Sequence, residues 1–434
     1  MKKALSILLI LALVCVPLAA CGGGDSGTTP PAGGTDTPPA GGNDPAPPAG
    51  GNDPAPPAGG DIDDVSLRLW GGEEDQAMLR IMADAFIAHY ANEAKITIEI
   101  GVESESSAKD TVLADIQAAA DVFAFADDQV QELYLAGALQ PVLLNTDAII
   151  AANSAASVDA ASVDGTLYAY PMTADNGYFM FYDSSFFSTD DIKTLDRMMD
   201  VAAEAGKQIT MDIGGAWYLY SFFKGAGLEM GLNPDGVTNH SNWNTGNGPA
   251  VVESLLEITA HPGFVSLGDG EFVTGIKDGS IIAGVNGPWN SGNAMEAWGD
   301  NYAAAALPTF TLNGQQVQMS SFAGFKLLGV NALSENVGYA MLLAEWITNY
   351  ENQMLRFEMR KQGPSNMQAA SNPEVLADPG LAAIAAQAAF ATPQRVGGSY
   401  WDPAATLGQI IVQGNPDNIP IQEMLDNAVA GITS

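Results

Sequence analysis

Ile281-Ile282-Ala283-Gly284-Val285-Asn286-Gly287-Pro288-Trp289 is the stretch whose reading decides the fold. A short β-prone apolar run ends in Asn-Gly-Pro, a sharp stop, and a proline sits well at a helix entrance. Trp289 therefore stands just past a strand, where a helix can begin. In an α/β protein the loops at the carboxyl ends of strands face the ligand crevice, so the indole is expected in a cleft. An aromatic ring offers a broad apolar face at small entropic cost. That suits the CH-rich face of a sugar, while a polar rim suits its hydroxyls. The competing reading makes Trp289 a buried anchor under the following helix.

Working outward, Val65 to Trp70 alternates as a strand, and a helical pattern runs from Gln76 to Ala91. Lys95 to Val102 reads as a strand, Lys109 to Ala119 as a helix, and Asp121 to Phe125 as a buried strand. That alternation predicts a parallel sheet with crossover helices. Asp127 and Asp128 follow, and Asp128 with Gln131 has capping-box spacing, so Asp128 reads equally as a cap or as a ligand group. Further strands are expected at 165–172 and 177–182, with Ala174-Asp175-Asn176 between them. Trp217 to Phe223 is the densest aromatic cluster. At helical spacing Leu219, Phe222 and Phe223 face the core, while Trp217 or Tyr218 can point out of the first turn. An Asn313-Gly314 turn, a helix from Tyr339, Tyr400-Trp401 and a last helix from Ile421 to Ile432 complete the chain.

At 434 residues, 47% of them apolar, the chain exceeds one ordinary core and two lobes are expected. The net charge of -35 argues against nucleic acid and disfavours anionic substrates, leaving a neutral or cationic ligand. His89, His240 and His261 stand apart, with no metal-ligand pairing. Two carboxylates suffice for a glycosidase, and Asp127, Asp128 and Asp175 are available, but no glycosidase motif surrounds them. No nucleophile elbow is present either. A binding protein without metal or cofactor is expected, not an enzyme.

Lys2-Lys3, an apolar run from Leu5 to Val14 and Leu18-Ala19-Ala20-Cys21 form an export signal over residues 1–20. The Leu-Ala-Ala-Cys ending resembles the bacterial lipoprotein box. That resemblance implies lipidation of Cys21, a membrane tether of two or more acyl chains on the outer face of the cell membrane, and no intramolecular disulfide. Residues 21–64 repeat Gly-Gly-Asn-Asp-Pro-Ala-Pro-Pro-Ala and read as an extended linker. At about 3.1 Å per residue its reach is on the order of 130 Å.

Asp121-Val-Phe-Ala-Phe-Ala-Asp-Asp, Leu167-Tyr-Ala-Tyr-Pro, Phe272-x-x-Gly-Ile-Lys-x-Gly, Asn286-Gly-Pro-Trp, Leu307-Pro-Thr-Phe and Tyr400-Trp401 fall in one order. Their spacing over residues 65–434 resembles that of the bacterial maltose/maltodextrin-binding proteins, the sugar receptors of ABC importers. The resemblance implies a type II periplasmic-binding-protein-like α/β fold, two hinged lobes closing on a malto-oligosaccharide. Lobe one would take 65–173 and 311–372, and lobe two 174–310 and 373–434. It implies a monomer that partners the importer's membrane permease. It carries stacking positions onto Trp217, Trp289 and Trp401, with Tyr218 beside the first and Phe125 from lobe one. Hydroxyl-binding carboxylates map to Asp128 and Asp175, with Asp127 adjacent, and the opening loop to Gly71-Gly72-Glu73-Glu74, with Glu74 toward the ligand. Gln129, Gly215, Ala405 and Glu73-Glu74 replace charged partners usual in that family, which implies a site leaning on stacking. The alternatives are a receptor for another neutral oligosaccharide and a surface starch-binding adhesin uncoupled from import.

Overall fold

The computed structural model describes residues 63–434. The expected signal and Cys21, and the linker up to residue 62, lie outside the described residues. Asp63 and Asp64, expected as its end, already belong to the first strand.

Ten strands make two five-stranded sheets. They are β1 (Asp63–Gly71), β2 (Ala94–Val102), β3 (Val122–Ala126), β4 (Ala169–Thr173) and β5 (Phe179–Asp183), then β6 (Gln208–Thr210), β7 (Phe264–Val265), β8 (Ile281–Asn286), β9 (Tyr302–Ala305) and β10 (Lys326–Val330). The first sheet runs β2-β1-β3-β10-β4, and the second β7-β6-β8-β5-β9. The sheets are mixed, not purely parallel as expected: β10 is antiparallel to β3 and β4, and β5 to β8 and β9. The cause is topological. A strand that comes from the other lobe enters the sheet from the hinge end and so runs against its neighbours.

Each sheet carries its own core. In the first, Leu67, Leu69, Ile96, Ile98 and Phe123 pack with Met78, Met82 and Phe86 of helix Gln76–His89. In the second, alternation along β5 sends Met180 and Tyr182 to one face and Phe179 and Phe181 to the other, each filling a separate cluster. The Asn313-Gly314 turn forms as expected, both residues at positive φ, between antiparallel Thr309–Leu312 and Gln315–Gln318. Phe310, Leu312, Met319 and Phe322 belong to the second core. The chain thus returns to the first lobe near Lys326, later than the expected boundary at 311.

The crossings lie side by side. Asn176 N–H donates to Gly324 O at 3.2 Å, Ala174 N–H to Gly363 O at 2.9 Å, and Ser321–Ala323 pairs in parallel with Ala391–Pro393. Beneath them Asp75, only 3% exposed, pairs with Arg356, itself 2% exposed, and accepts from Arg360 Nε at 3.1 Å. Burial alone would push the Asp75 carboxyl up, but Arg356, Lys326 and Arg360 hold it below the usual carboxylate range. Stranding one member of such a pair costs about 3–5 kcal/mol. Arg356→Met should lower stability by about that amount in urea unfolding, and adding Asp75→Asn should recover much of the loss. Equal stability of Arg356→Met and the wild type would rule out this pair as a structural tie.

Candidate functional site

The wall of the cleft is built by the stretch that ends β8. Asn286 Oδ1 accepts from Gly287 N–H at 2.8 Å and from Asn290 Nδ2 at 3.0 Å, closing the turn that Asn-Gly-Pro predicts. Pro288–Asn290 forms one 3-10 turn before helix Ser291–Trp298. The indole of Trp289 folds back over Gly287, where a Cβ would stand 2.1 Å from the ring, so only glycine admits this rotamer. Trp289 Nε1 donates to Asp269 Oδ2 at 2.9 Å, and the ring is half-buried, not a core anchor.

Trp217 sits in the first turn of helix Ala216–Gly225, its ring 5.7 Å from that of Trp289 and tilted by 33°. Its Nε1 donates to Gln394 Oε1 at 2.7 Å. Tyr178 and Tyr218 back it at 4.5 and 5.1 Å. Tyr218 is buried, so it supports the wall from behind; burial, Asp269 and Asp212 push its hydroxyl well above the usual range. Trp401 opens helix Trp401–Val412, half-buried, with Tyr400 at 5.0 Å and Phe322 at 6.5 Å as ring neighbours. It lies on the same lobe but outside the Trp217–Trp289 pair.

The first lobe supplies polar groups. Asp127 accepts from Phe325 N–H at 3.1 Å and from Arg395 Nη1 at 2.8 Å. Gly324 is required beside it, since a Cβ there would lie 2.5 Å from Asp127 Oδ1. Burial raises the Asp127 carboxyl against the opposing pull of Arg395. Asp128 is not a cap: helix Val130–Leu135 starts from Gln129 with no capping side-chain bond. Its Oδ1 is shielded from solvent, and among the described residues no donor reaches it. Burial, then the neighbouring Asp127, push its carboxyl up to about 7, with the Gln394 amide pulling the other way. Gln394 thus stands between Trp217 of one lobe and Asp128 of the other.

Other expected positions are placed differently. Phe125 offers no platform; it is 0% exposed and packs on Phe123 at 5.7 Å, because β3 is central and covered on both faces. Asp175 is buried at the hinge, accepting from Gly363 N–H, with its carboxyl raised by burial. It straps two crossings together. Glu74 is exposed, its carboxylate curled over Gly72, and the inward position in that loop belongs to Asp75. The Gln129 side chain turns from the cleft to bond Glu105 O at 2.7 Å and Lys109 N–H at 3.1 Å. The space beside Gly215 is filled by the Asp212 carboxylate, 2.6 Å from where a Cβ would be.

Sequence reasoning passed over Lys326, Arg360, Gln394, Arg395 and Asp269. Lys326 left a signal, a lone cation opening an otherwise apolar strand. Arg395 and Gln394 follow a short strand at the hinge and left none. A small hollow of about 100 Å³, lined by Tyr178, Phe322 and Ile384 among others, lies behind the hinge, apart from the aromatic wall; it has room for a few waters. Among the described residues no helix is long and apolar enough to span a membrane, and no three His, Cys, Asp or Glu are placed to hold a metal.

Residues 83–383 match the bacterial extracellular solute-binding protein family. Among solved structures, one described as "with acarbose" is 30% identical, with a TM-score of 0.77, covering 85% of this chain and 98% of that one. A maltodextrin-binding protein from L. casei, solved without ligand, is 26% identical with a TM-score of 0.70, covering 85% and 99%. The Thermus thermophilus maltotriose-binding protein, bound with maltotriose, shares the fold at 21% identity and a TM-score of 0.73, covering 85% and 99%. A search of curated proteins gives no match.

The Asp128 carboxyl gives a pH test. Folded, it keeps its proton up to about pH 7; unfolded, it loses it near pH 4, as an ordinary Asp does. Between those values the native state holds more protons, so stability falls as pH rises through the window. In Asp128→Asn the drop in urea midpoint from pH 4 to 7 should be smaller than in the wild type. Superimposable pH profiles would mean that Asp128 titrates as an ordinary surface carboxylate.

Proposed function

Because the chain belongs to the bacterial extracellular solute-binding protein family, whose members are non-catalytic receptors serving ABC importers, we propose that it captures maltodextrins outside the cell and delivers them to its permease. The observation that carries this reading is the Trp217–Trp289 pair, two half-buried indoles side by side, one in the first turn of a helix and one just past a strand end. Carboxylates and amides rim them: Asp269 and Gln394 on the indole nitrogens, Asp128 and Asp127 from the facing lobe. Sugar rings present apolar CH faces for stacking and hydroxyl edges for such a rim.

The magnitudes fit. A sugar covers part of one aromatic face, worth roughly 1 to 2 kcal/mol per platform at about 25 cal/mol per Å². Two or three platforms with several satisfied hydrogen bonds give about micromolar affinity after the cost of association. Similar proteins are described with acarbose, as maltodextrin-binding and with maltotriose, which supports the same ligand class here. Trp401 extends the platform set in this proposal. Asp175 and Glu74, as placed, would reach ligand only after a change at the hinge or the opening loop. Cys21, outside the described residues, would anchor the receptor to the outer face of the membrane.

Titrating the protein with maltotriose should quench tryptophan fluorescence and release heat. The absence of any response to α-glucans up to millimolar concentration would remove the maltodextrin assignment. Trp289→Ala should weaken binding at least about tenfold, the loss of one platform. Its melting temperature should stay close to the wild type, since Asp269, the partner left behind, is exposed.

A further inference from the structure

β10 is apolar except at its first residue, Lys326, whose side chain is buried. An ammonium carried into a sheet needs counter-charge, and it has one: Lys326 Nζ lies 3.2 Å from Glu105 Oε1. Glu105 is itself fixed, its carbonyl accepting from Gln129 Nε2 at 2.7 Å and from Ala126 N–H at 3.3 Å. Desolvation works against the charge, but Glu105, Asp75 and Asp175 outweigh it, and the lysine stays protonated. The same ammonium stands over the indole of Trp289, 5.0 Å from the ring centroid. Arg360, also of the first lobe, reaches the Trp289 carbonyl at 3.5 Å.

We infer that Lys326 is a positioning residue for ligand binding: from the first lobe it holds the Trp289 indole, the second lobe's platform, in its stacking orientation. Two torsions set that orientation. The Asp269 bond restrains the nitrogen edge and Gly287 leaves space for the benzo edge, while the cation restrains the face. A cation over an indole face is attracted by the ring quadrupole, more strongly when desolvated. Here the attraction runs from one lobe to the other, so the platform is in register only while the lobes are together. Stacking and lobe approach are thereby coupled. The path Gln129–Glu105–Lys326–Trp289 also gives Gln129 a role, since its buried amide holds the backbone of Glu105, whose carboxylate meets the cation.

The inference rests on the maltodextrin reading only for its ligand measurement. A double-mutant cycle on the full chain separates positioning from direct ligand contact and from a purely structural ion pair. Lys326→Met should weaken maltotriose binding by about two- to thirtyfold, the span of a cation–aromatic contact. In a Trp289→Ala background the same substitution should change binding less than twofold. Lys326→Arg, which keeps the cation, should recover most of the affinity. Adding Glu105→Gln to Lys326→Met removes the stranded carboxylate and guards against simple unfolding. Equal losses in both backgrounds, or no loss in either, overturn the inference. Should the wild type bind no malto-oligosaccharide, the sugar reading fails on its own, and tryptophan emission decides this one. Lys326→Met should shift the emission of the wild type but not of Trp289→Ala; unchanged emission in both overturns it.

Discussion

A chain that leaves one sheet, builds a second and comes back must re-enter the first from the hinge. That obligation places Gly324-Phe325-Lys326 at the joint between the lobes, and much else follows from it. Phe325 N–H meets the Asp127 carboxylate, Gly324 makes room for it, and Lys326 is delivered to the foot of the aromatic wall. The antiparallel setting of β10 in an otherwise parallel group is the visible mark of the same constraint.

Cations are scarce in this chain: 16 Lys and Arg against 51 Asp and Glu. Spread evenly, few would lie near the cleft. Instead Lys326, Arg356, Arg360 and Arg395 gather at the hinge and pair with Glu105, Asp75 and Asp127. Three of those four tie elements far apart in sequence to carboxylates with little solvent to screen them. Arg395 is half-exposed, so its bond to Asp127 contributes less. The expectation of a site built mainly on stacking, drawn from Gln129, Gly215, Ala405 and Glu73-Glu74, therefore shifts. The charges returned from residues on other elements.

What could be read from the sequence was local. Asn-Gly-Pro-Trp specifies its own turn, so Trp289 was legible together with its glycine neighbour. The period of two along β5 and the helical stripe behind Trp217 were likewise written in contiguous residues. The illegible parts are those decided by partners far along the chain. Phe125 looks like a platform until β10, some two hundred residues later, covers it. Glu74 and Asp75 differ by one position, and only the arrival of Arg356 decides which of them turns inward. Asp175 reads as a ligand carboxylate, yet Gly363 takes its oxygen first. Gln394 and Arg395 acquire their place solely from the parallel pairing of Ser321–Ala323 with Ala391–Pro393.

The two lobes bring unlike chemistry to the same space, and that narrows what fits. From the second come flat indole faces, each with its nitrogen already satisfied. From the first come carboxylates, one of them with an oxygen that no donor among the described residues reaches. A wholly apolar ligand could use the faces but would leave that buried oxygen without a partner, a loss comparable to a missing hydrogen bond. An anion would meet Asp127, Asp128 and Asp269, while Lys326, Arg360 and Arg395 nearby are already paired with carboxylates. A ligand whose faces are apolar and whose edges donate satisfies both halves together, and neutral oligosaccharides have that construction. Closing the lobes on such a ligand strengthens the polar contacts by excluding water, while the stacking depends little on charge. In the proposed reading recognition divides by lobe, with stacking from the second and hydroxyl reading from the first, and Lys326 over Trp289 is one contact where the two halves meet.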